Sequence, residues 1–266
     1  MRKAGKAAID KRQVCRAFSR FPTDGALAAV TAERLSDILD DMILSPSHVL
    51  DVGGGGFAGL QTRYPKARLW AVDLALPILQ KSQADIRLCA DAERLPIQDG
   101  AVDMLWSNLC YEWTDIAKSL PEAARVLKVG GVFIAGILGP DTLREARAAF
   151  ADDGCPRVHD FTDMHDVGET LLQAGMTEPV VQCERLTFNY ATAKDALREV
   201  HKQGTGCALA DRPRGLMGKA RWQKALSHYE RRFADDNGRV PATYEVIYAV
   251  AWRAATQEKP IHFQRK

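Results

Sequence analysis

The sequence predicts an α/β protein organised around a parallel β-sheet, and three observations carry that prediction. Short apolar runs alternate with helix-patterned stretches between residues 47 and 137, the order expected of βαβ units. The runs are nearly continuous rather than alternating, as strands buried on both faces should be. A glycine run, Gly53-Gly54-Gly55-Gly56, then follows the first of them. Glycine there lets backbone N–H groups approach a ligand closely, because no Cβ intervenes.

Taken in order, residues 26–43 place Leu27, Val30, Leu35, Ile38 and Leu39 at helical spacing, so residues 1–46 form an N-terminal helical segment. The predicted strands are His48-Val49-Leu50-Asp51-Val52, Arg68-Leu69-Trp70-Ala71-Val72-Asp73, Ile86-Arg87-Leu88-Cys89-Ala90-Asp91, Val102-Asp103-Met104-Leu105-Trp106 and Gly131-Val132-Phe133-Ile134-Ala135-Gly136-Ile137. Residues 142–150 and 164–174 read as helices, the second repeating Met164, Val167, Leu171 and Ala174 before a stop at Gly175. Leu186, Phe188 and Tyr190 alternate as in a strand, and residues 243–252 return to strand chemistry. Between those two late strands lies a charged helical stretch with a loop around residues 204–218. The division that follows is a core over residues 47–191, a helical insertion or lid over 192–238, a final core strand over 239–254 and a tail over 255–266.

Composition excludes several classes. Lys and Arg number 36 against 34 Asp and Glu, which is no electrostatic footprint for nucleic acid. No apolar run approaches the roughly 20 residues of a membrane helix, and the N-terminus lacks a secretory apolar region. Its first sixteen residues are basic, with Lys11 among them, but too short a stretch to favour a mitochondrial presequence over a cytoplasmic protein. The cysteines Cys15, Cys89, Cys110, Cys155, Cys183 and Cys207 are scattered without a CxxC pair, so reduced, mostly buried thiols are expected and no metal site. His48, His165, His201 and His228 are not spaced for metal either and read as surface or helix residues.

The glycine loop admits two cofactors. Read literally, Gly54-x-Gly56-x-x-Gly59 with Asp73 about twenty residues further on matches a dinucleotide fingerprint, and would make the chain a dehydrogenase. Asp51, however, stands just before the glycines. A carboxylate there favours a sulfonium with an ammonium tail and repels a pyrophosphate. Asp73 ends the second strand, where it can accept hydrogen bonds from a ribose diol. Asp91 ends the third and opens Asp91-Ala92-Glu93-Arg94-Leu95-Pro96, where an adenine edge can be read. Each Asp alone reads equally as a helix cap; three at successive strand ends favour a nucleoside cofactor.

From Val49-Leu50-Asp51-Val52-Gly53 through Asp91-Ala92-Glu93-Arg94-Leu95-Pro96 to Arg125-Val126-Leu127-Lys128-Val129-Gly130-Gly131, the sequence resembles the class I S-adenosylmethionine-dependent methyltransferases. More narrowly it is similar to the biotin-pathway malonyl-carrier-protein O-methyltransferases. That likeness rests on Trp106-Ser107-Asn108-Leu109 with Trp113, Leu138-Gly139-Pro140-Asp141-Thr142-Leu143, Asp163-Met164-His165-Asp166-Val167-Gly168, Arg212-Pro213-Arg214-Gly215-Leu216 and Pro241-Ala242-Thr243-Tyr244-Glu245-Val246. A mitochondrial complex I assembly factor, reported as an arginine hydroxylase, shares much of this pattern and is the nearest alternative.

The resemblance implies a Rossmann-like, seven-stranded, mostly parallel sheet with helices on both faces, an antiparallel last strand and the helical insertion before it. It also implies that S-adenosylmethionine meets Asp51, Gly53 and Gly55 at its methionine end, Asp73 and Leu74 at the ribose, and Asp91 and Ala92 at the adenine, with Asn108 and Leu109 beside the transferred group. The implied reaction is O-methylation of the free carboxylate of malonyl-acyl carrier protein or malonyl-coenzyme A. An ionised carboxylate is already a nucleophile at neutral pH, so no obligatory acid–base residue is expected and proximity does the work.

Candidates for the acceptor pocket are Tyr111, Trp113 and Arg144, with Trp106 and Trp252 as further aromatics that read equally as core. Arg144 reads more readily as part of a solvated helix face. The basic residues Arg212, Arg214, Lys219 and Arg221 suit an acidic carrier, or an ordinary charged loop. Four departures from the family pattern stand out. Phe57 occupies the final glycine position of the cradle, and the stretch from Asp73 to Asp91 leaves room for only about two helical turns. An N-terminal aromatic-Asp pair is degenerate as Phe21-Pro22-Thr23-Asp24. Glu112 replaces the usual Gln, and an ionised carboxylate there would repel a malonyl group.

Overall fold

The computed structural model describes residues 8–20, 25–54, 59–202 and 206–255. Seven strands form one sheet: β1 (His48–Val52), β2 (Arg68–Asp73), β3 (Ile86–Cys89), β4 (Val102–Asn108), β5 (Leu127–Leu138), β6 (Met176–Tyr190) and β7 (Val240–Arg253). Their order across the sheet is β3-β2-β1-β4-β5-β7-β6. The first five run parallel, and β7 pairs antiparallel with both β5 and β6. Strand order reverses beside β1, so a crevice opens at the carboxyl ends of β1 and β4, where open α/β sheets bind ligands.

Two cores flank the sheet, and side-chain alternation assigns each strand residue to one of them. Val49, Met104, Trp106, Ile134, Tyr244 and Val246 point to the first. Against it pack α2 (Ala26–Asp40), α6 (Arg144–Ala149), α8 (Ala193–Lys202) and α9 (Lys219–Phe233). Leu50, Val52, Leu105, Phe133, Ile247 and Ala249 point to the second, covered by α5 (Ile116–Val126) and α7 (Met164–Gln173). The period-two split of apolar side chains is what a sheet buried on both faces requires. Among the described residues no helix is long and apolar enough to cross a membrane.

Several boundaries depart from the sequence reading, each for a local reason. β5 begins at Leu127 rather than Gly131, because Leu127 pairs with Val102 ahead of an irregularity in register. Gly130 absorbs that irregularity at φ +75°. β6 begins at Met176, before the predicted alternation, and its register shifts between Thr177 and Val180. Pro179 falls inside that bulge on an edge strand, which is where a sheet tolerates proline. Helix α6 starts at Arg144 because Leu143 adopts a left-handed conformation, φ 54°, that no helix interior accepts. A further helix, α1 (Lys11–Arg20), precedes α2, and only the five-residue α3 (Gly59–Arg63) and the six-residue α4 (Leu76–Lys81) fit into the first two crossovers.

Helices α8 and α9 lie between β6 and β7 in the chain and bury Ala193, Ala196, Val200 and Tyr229 in the first core. The Tyr229 hydroxyl donates to the carbonyl of Pro241 at 2.6 Å, which ties α9 to the start of β7. Tyr229→Phe leaves that buried carbonyl without its partner and should lower the free energy of unfolding by about 1 kcal/mol, measured by urea denaturation. No change in the midpoint would mean that the bond contributes nothing to docking α9.

Candidate functional site

The crevice is built around a close approach of two loops. Gly53, directly after β1, has φ +88°, a conformation that costs a side-chain-bearing residue energy. Its N–H and that of Gly54 both donate to the carbonyl of Val72, at 2.8 and 3.1 Å, so the chain leans across β2 on leaving β1. A Cβ on Gly53 would stand 2.6 Å from the Cβ of Cys110, which follows β4. Only glycine fits. The remainder of the glycine run, with the candidate Gly55 and the departure Phe57, lies outside the described residues, as does Phe21-Pro22-Thr23-Asp24.

Carboxylates gather around this contact. Asp51, the next-to-last residue of β1, is only 5% exposed. Asp73 ends β2 and accepts a 2.6 Å bond from the N–H of Ala75. Burial pushes its pKa up to about 6. The Cys110 thiol is raised well above its usual range, first by burial and then by the fields of Asp73, Glu112 and Asp51. Cys110 thereby marks the point that these three acids share. Leu74 offers its carbonyl to the thiols of Cys15, at 3.4 Å, and Cys89, at 3.6 Å.

The adenine-edge candidates behave differently from one another. Ala92 is buried in the second core. Asp91 accepts from the N–H of Glu93 at 3.0 Å, as a turn-closing Asp does, and also from the ammonium of Lys11 at 3.0 Å. Lys11 reaches Glu93 at 2.7 Å and donates to the carbonyl of Trp113 at 3.2 Å. Helix α1 therefore straps the ends of β3 and β4 together. Asn108, at the end of β4, donates to the carbonyl of Ala28 at 2.9 Å and accepts from Thr31 at 2.7 Å. Its carboxamide thus anchors α2 over the crevice. Leu109 follows at φ 56°, held by its N–H on the carbonyl of Gly136 at 2.8 Å; strained non-glycine backbone of this kind clusters at functional sites.

The aromatic candidates fall in a single 3-10 turn, Tyr111–Trp113. Tyr111 packs edge-on against Phe133 at 5.5 Å, and among the described residues its hydroxyl has no partner. Trp113 stands edge-on between Phe18 of α1, at 5.6 Å, and His159, at 4.7 Å. Trp106 lies wholly in the first core and Trp252 packs against it. Arg144 is exposed at the start of α6, with its Nε 3.2 Å from Glu145, so the structure keeps it on a solvated helix face. Glu112, between the two aromatics, is 7% exposed, and burial pushes its pKa up to about 8. The repulsive anion expected at Glu112 is therefore a neutral acid at pH 7, because burial disfavours its charged form and no charge partner stands beside it among the described residues.

His159 escaped the sequence reading, since no spacing marks it. It is 2% exposed and held neutral by burial, with a pKa of about 4, and its Nε2 accepts the N–H of Ala208 at 2.8 Å. It joins Trp113 to the segment 206–212, which also pairs with the N-terminus: Ile9 bridges Leu209, and Arg212 binds Asp10 at 3.0 Å. Of the basic cluster, Arg212 is thus committed internally and Arg221 lies 3.8 Å from Asp153, while Arg214 and Lys219 are exposed. All six cysteines are free, but Cys89 and Cys183 are exposed and the others half-buried, so the expectation of mostly buried thiols is corrected. His48 is half-buried at the start of β1, its side chain partly at the surface and its Nδ1 3.8 Å from Asp103. Among the described residues no group of His, Cys, Asp and Glu is arranged to hold a metal ion.

Comparison with known proteins agrees with this geometry. Residues 50–135 match the family model described as a methyltransferase domain. A malonyl-acyl-carrier protein O-methyltransferase of Laribacter hongkongensis is 39% identical over 94% of this chain and 92% of its own length. One from Gallionella capsiferriformans is 38% identical over 93% and 92%. A crystal structure of a putative methyltransferase from Bacillus halodurans superposes with a TM-score of 0.58 at 19% identity, covering 84% of this chain and 98% of that one. The methyltransferase relatives favour methyl transfer over the dehydrogenase reading of the glycine run and over the hydroxylase alternative.

Two substitutions test the cradle itself. Gly53→Ala forces a Cβ into Cys110 at an unfavourable φ and should destabilise the fold by roughly 2–3 kcal/mol, measured by denaturation; a smaller effect than 1 kcal/mol would mean the loop re-routes freely. Asp73→Asn removes a half-buried charge whose folded pKa lies above its unfolded value. The ionised form therefore costs stability once pH rises through about 6. The variant should be more stable than the parent at neutral pH by about 1–2 kcal/mol, and less so below pH 4. A loss of stability at neutral pH would show that the carboxylate has a structural partner.

Proposed function

This chain belongs to the malonyl-acyl-carrier protein O-methyltransferase family, and we propose that it methylates the free carboxylate of a malonyl thioester carried on acyl carrier protein, a step in biotin synthesis. The observation that carries this reading is the extent of the likeness: it runs over nine-tenths of the chain, past the shared cradle and through the acceptor-side stretches. S-adenosylmethionine supplies the electrophilic methyl group. The residues on hand fit that cofactor. Gly53 lets the loop after β1 pack directly on Cys110, Asp51 favours the cationic end of the molecule, and Asp73 has acceptor capacity to spare for a ribose diol. Leu74, Asp91, Ala92, Asn108 and Leu109 complete the cofactor side of the reading, with Lys11 as a strap on Asp91. Gly55 belongs to the same cradle by sequence.

The chain's own contribution is to position and to exclude water. The acceptor carboxylate is ionised at neutral pH and needs no base, so a near-attack placement in a closed crevice supplies most of the acceleration. Tyr111, Trp113 and His159 form the wall, and the paired segments of α1 and residues 206–212 form the cover. In this reading the region 192–238 sets acceptor choice through that segment, while α8 and α9 serve as part of the core. The exposed Arg214 and Lys219 suit an acidic carrier protein, whose approach they would speed. A coenzyme A thioester carries the same malonyl group and is the second acceptor that the site admits. Six free cysteines suit the reducing cytoplasm.

Incubation with S-adenosylmethionine and malonyl-acyl carrier protein, read by mass spectrometry of the carrier, should show the gain of one methyl group. Clear binding of S-adenosylhomocysteine without that gain on either thioester would overturn the acceptor. Asp73→Ala should weaken S-adenosylhomocysteine by about 1.5–3 kcal/mol through loss of charge-assisted hydrogen bonds, read by calorimetry; unchanged affinity would mean the strand-two carboxylate is misassigned.

A further inference from the structure

Two thiols meet at the edge of the crevice. The Cys15 thiol of α1 donates to the carbonyl of Leu74 at 3.4 Å, and the Cys89 thiol, at the end of β3, donates to the same carbonyl at 3.6 Å. Two sulfurs on one oxygen at these distances are at most about 7 Å apart. A second contact fixes the same alignment. Lys11, one helical turn before Cys15, reaches Asp91, two residues beyond Cys89. Residues four apart on a helix share a face, so α1 turns the face carrying Lys11 and Cys15 toward the chain leaving β3. Among the described residues no other two cysteines share a hydrogen-bond acceptor: Cys155 donates to Asp153, Cys183 to Glu245 and Cys207 to Pro156.

Both thiols can be reached, and both can be brought together. Cys89 is exposed and Cys15 half-buried, so a small reagent meets Cys89 first. A disulfide holds its sulfurs about 2 Å apart, and rotation of a cysteine about χ1 between staggered positions swings its sulfur through much of the remaining gap. Helix α1 can supply the rest. Val14 is its one buried side chain, and the Lys11 pairs with Asp91 and Glu93 join partly exposed groups, each worth little.

The place of this pair gives it a consequence. Leu74 and Asp91 belong to the proposed cofactor site, on its ribose and adenine sides, and α1 touches both through Cys15 and Lys11. An ion pair there opens readily in water, whereas a covalent bond does not. With Cys15 joined to Cys89, α1 stays down on that side of the crevice, and a nucleoside cofactor can neither leave nor enter past it.

We propose that Cys15 and Cys89 are a redox-sensitive dithiol, which a small-molecule disulfide converts to a bond that locks α1 over the cofactor side of the crevice. The lock rests on the cofactor site proposed above; the dithiol does not. In the first step the Cys89 thiolate attacks one sulfur of the reagent, breaks its S–S bond and expels one thiolate. The Cys15 thiolate then attacks the Cys89 sulfur of the mixed disulfide and expels the second. The two protein thiols are oxidised, the reagent is reduced to two small thiols, and these take up the two protons that the protein gives up. An excess of the small thiol reverses both steps. Exposed disulfides are the reducible, regulatory kind, and in a reducing compartment such bonds are transient.

The test is to titrate the full chain with mixtures of oxidised and reduced glutathione, map disulfides by mass spectrometry of unreduced peptides, and time S-adenosylhomocysteine release by stopped flow. The oxidised parent should carry Cys15 joined to Cys89. S-adenosylhomocysteine loaded before oxidation should leave at least about ten-fold more slowly than from the reduced parent, and dithiothreitol should restore the rate. Cys15→Ser and Cys89→Ser should each release at one rate before and after oxidation; should one fail to fold, the other still decides. A mixed disulfide at Cys89 that Cys15 never displaces, or a bond joining other cysteines, would overturn the dithiol. The Cys15–Cys89 bond formed with release unchanged would overturn the lock. A reduced parent that binds no S-adenosylhomocysteine would instead overturn the cofactor site, and the lock with it, while peptide mapping still decides the dithiol.

Discussion

The approach of Gly53 to Cys110 constrains everything else in the crevice. With no room for a Cβ between the loop after β1 and the turn after β4, the two strand ends meet directly. Asp51, Asp73 and Glu112 are drawn into one poorly solvated space by that meeting. Burying carboxylates costs stability. The surrounding double-sided core offsets that cost, since β1, β4 and β5 are almost wholly buried on both faces. The left-handed Leu109 belongs to the same compromise: it turns the chain sharply after β4, and its bond to Gly136 holds the turn in place.

Closure of the crevice depends on weaker contacts. Lys11 with Asp91 and Glu93, and Arg212 with Asp10, are ion pairs between partly exposed side chains, each worth little alone. What backs them is a small apolar cluster of Val14, Trp113 and Ala208, separate from the two main cores. Segments held by few buried contacts open at low free energy. A cover of that kind is compatible with ligand entry, whereas α8 and α9, seated in the first core beside Tyr229, are not built to move with it.

Much of this was legible in the sequence because it is encoded locally. Val49 and Leu50, or Met104 and Leu105, declare a two-faced strand by adjacency alone. Asp51, Asp73 and Asp91 are visible because each stands at or next to the end of such a run. The start of β6 was hidden by a bulge at Thr177–Val180, where the alternation breaks. Lys11 and Asp91 are eighty residues apart, and His159 meets Trp113 only through the fold; no local pattern records either contact. Glu112 could be seen to depart from its family, but its charge depends on burial. Residue type said anion, and its surroundings say acid.

In the proposed cofactor site Asp73 is a partly desolvated carboxylate with acceptor capacity left for a cofactor's hydroxyl groups. Calorimetric affinity for S-adenosylhomocysteine at about pH 5 and about pH 7.5 tests it most directly, because hydrogen bonds from a ribose favour the ionised acid and binding must then release a proton below its free pKa of about 6. The account predicts tighter binding at the higher pH, with proton release detected at the lower one from the dependence of the heat on buffer. Equal affinity at both pH values, with no proton released, would contradict it.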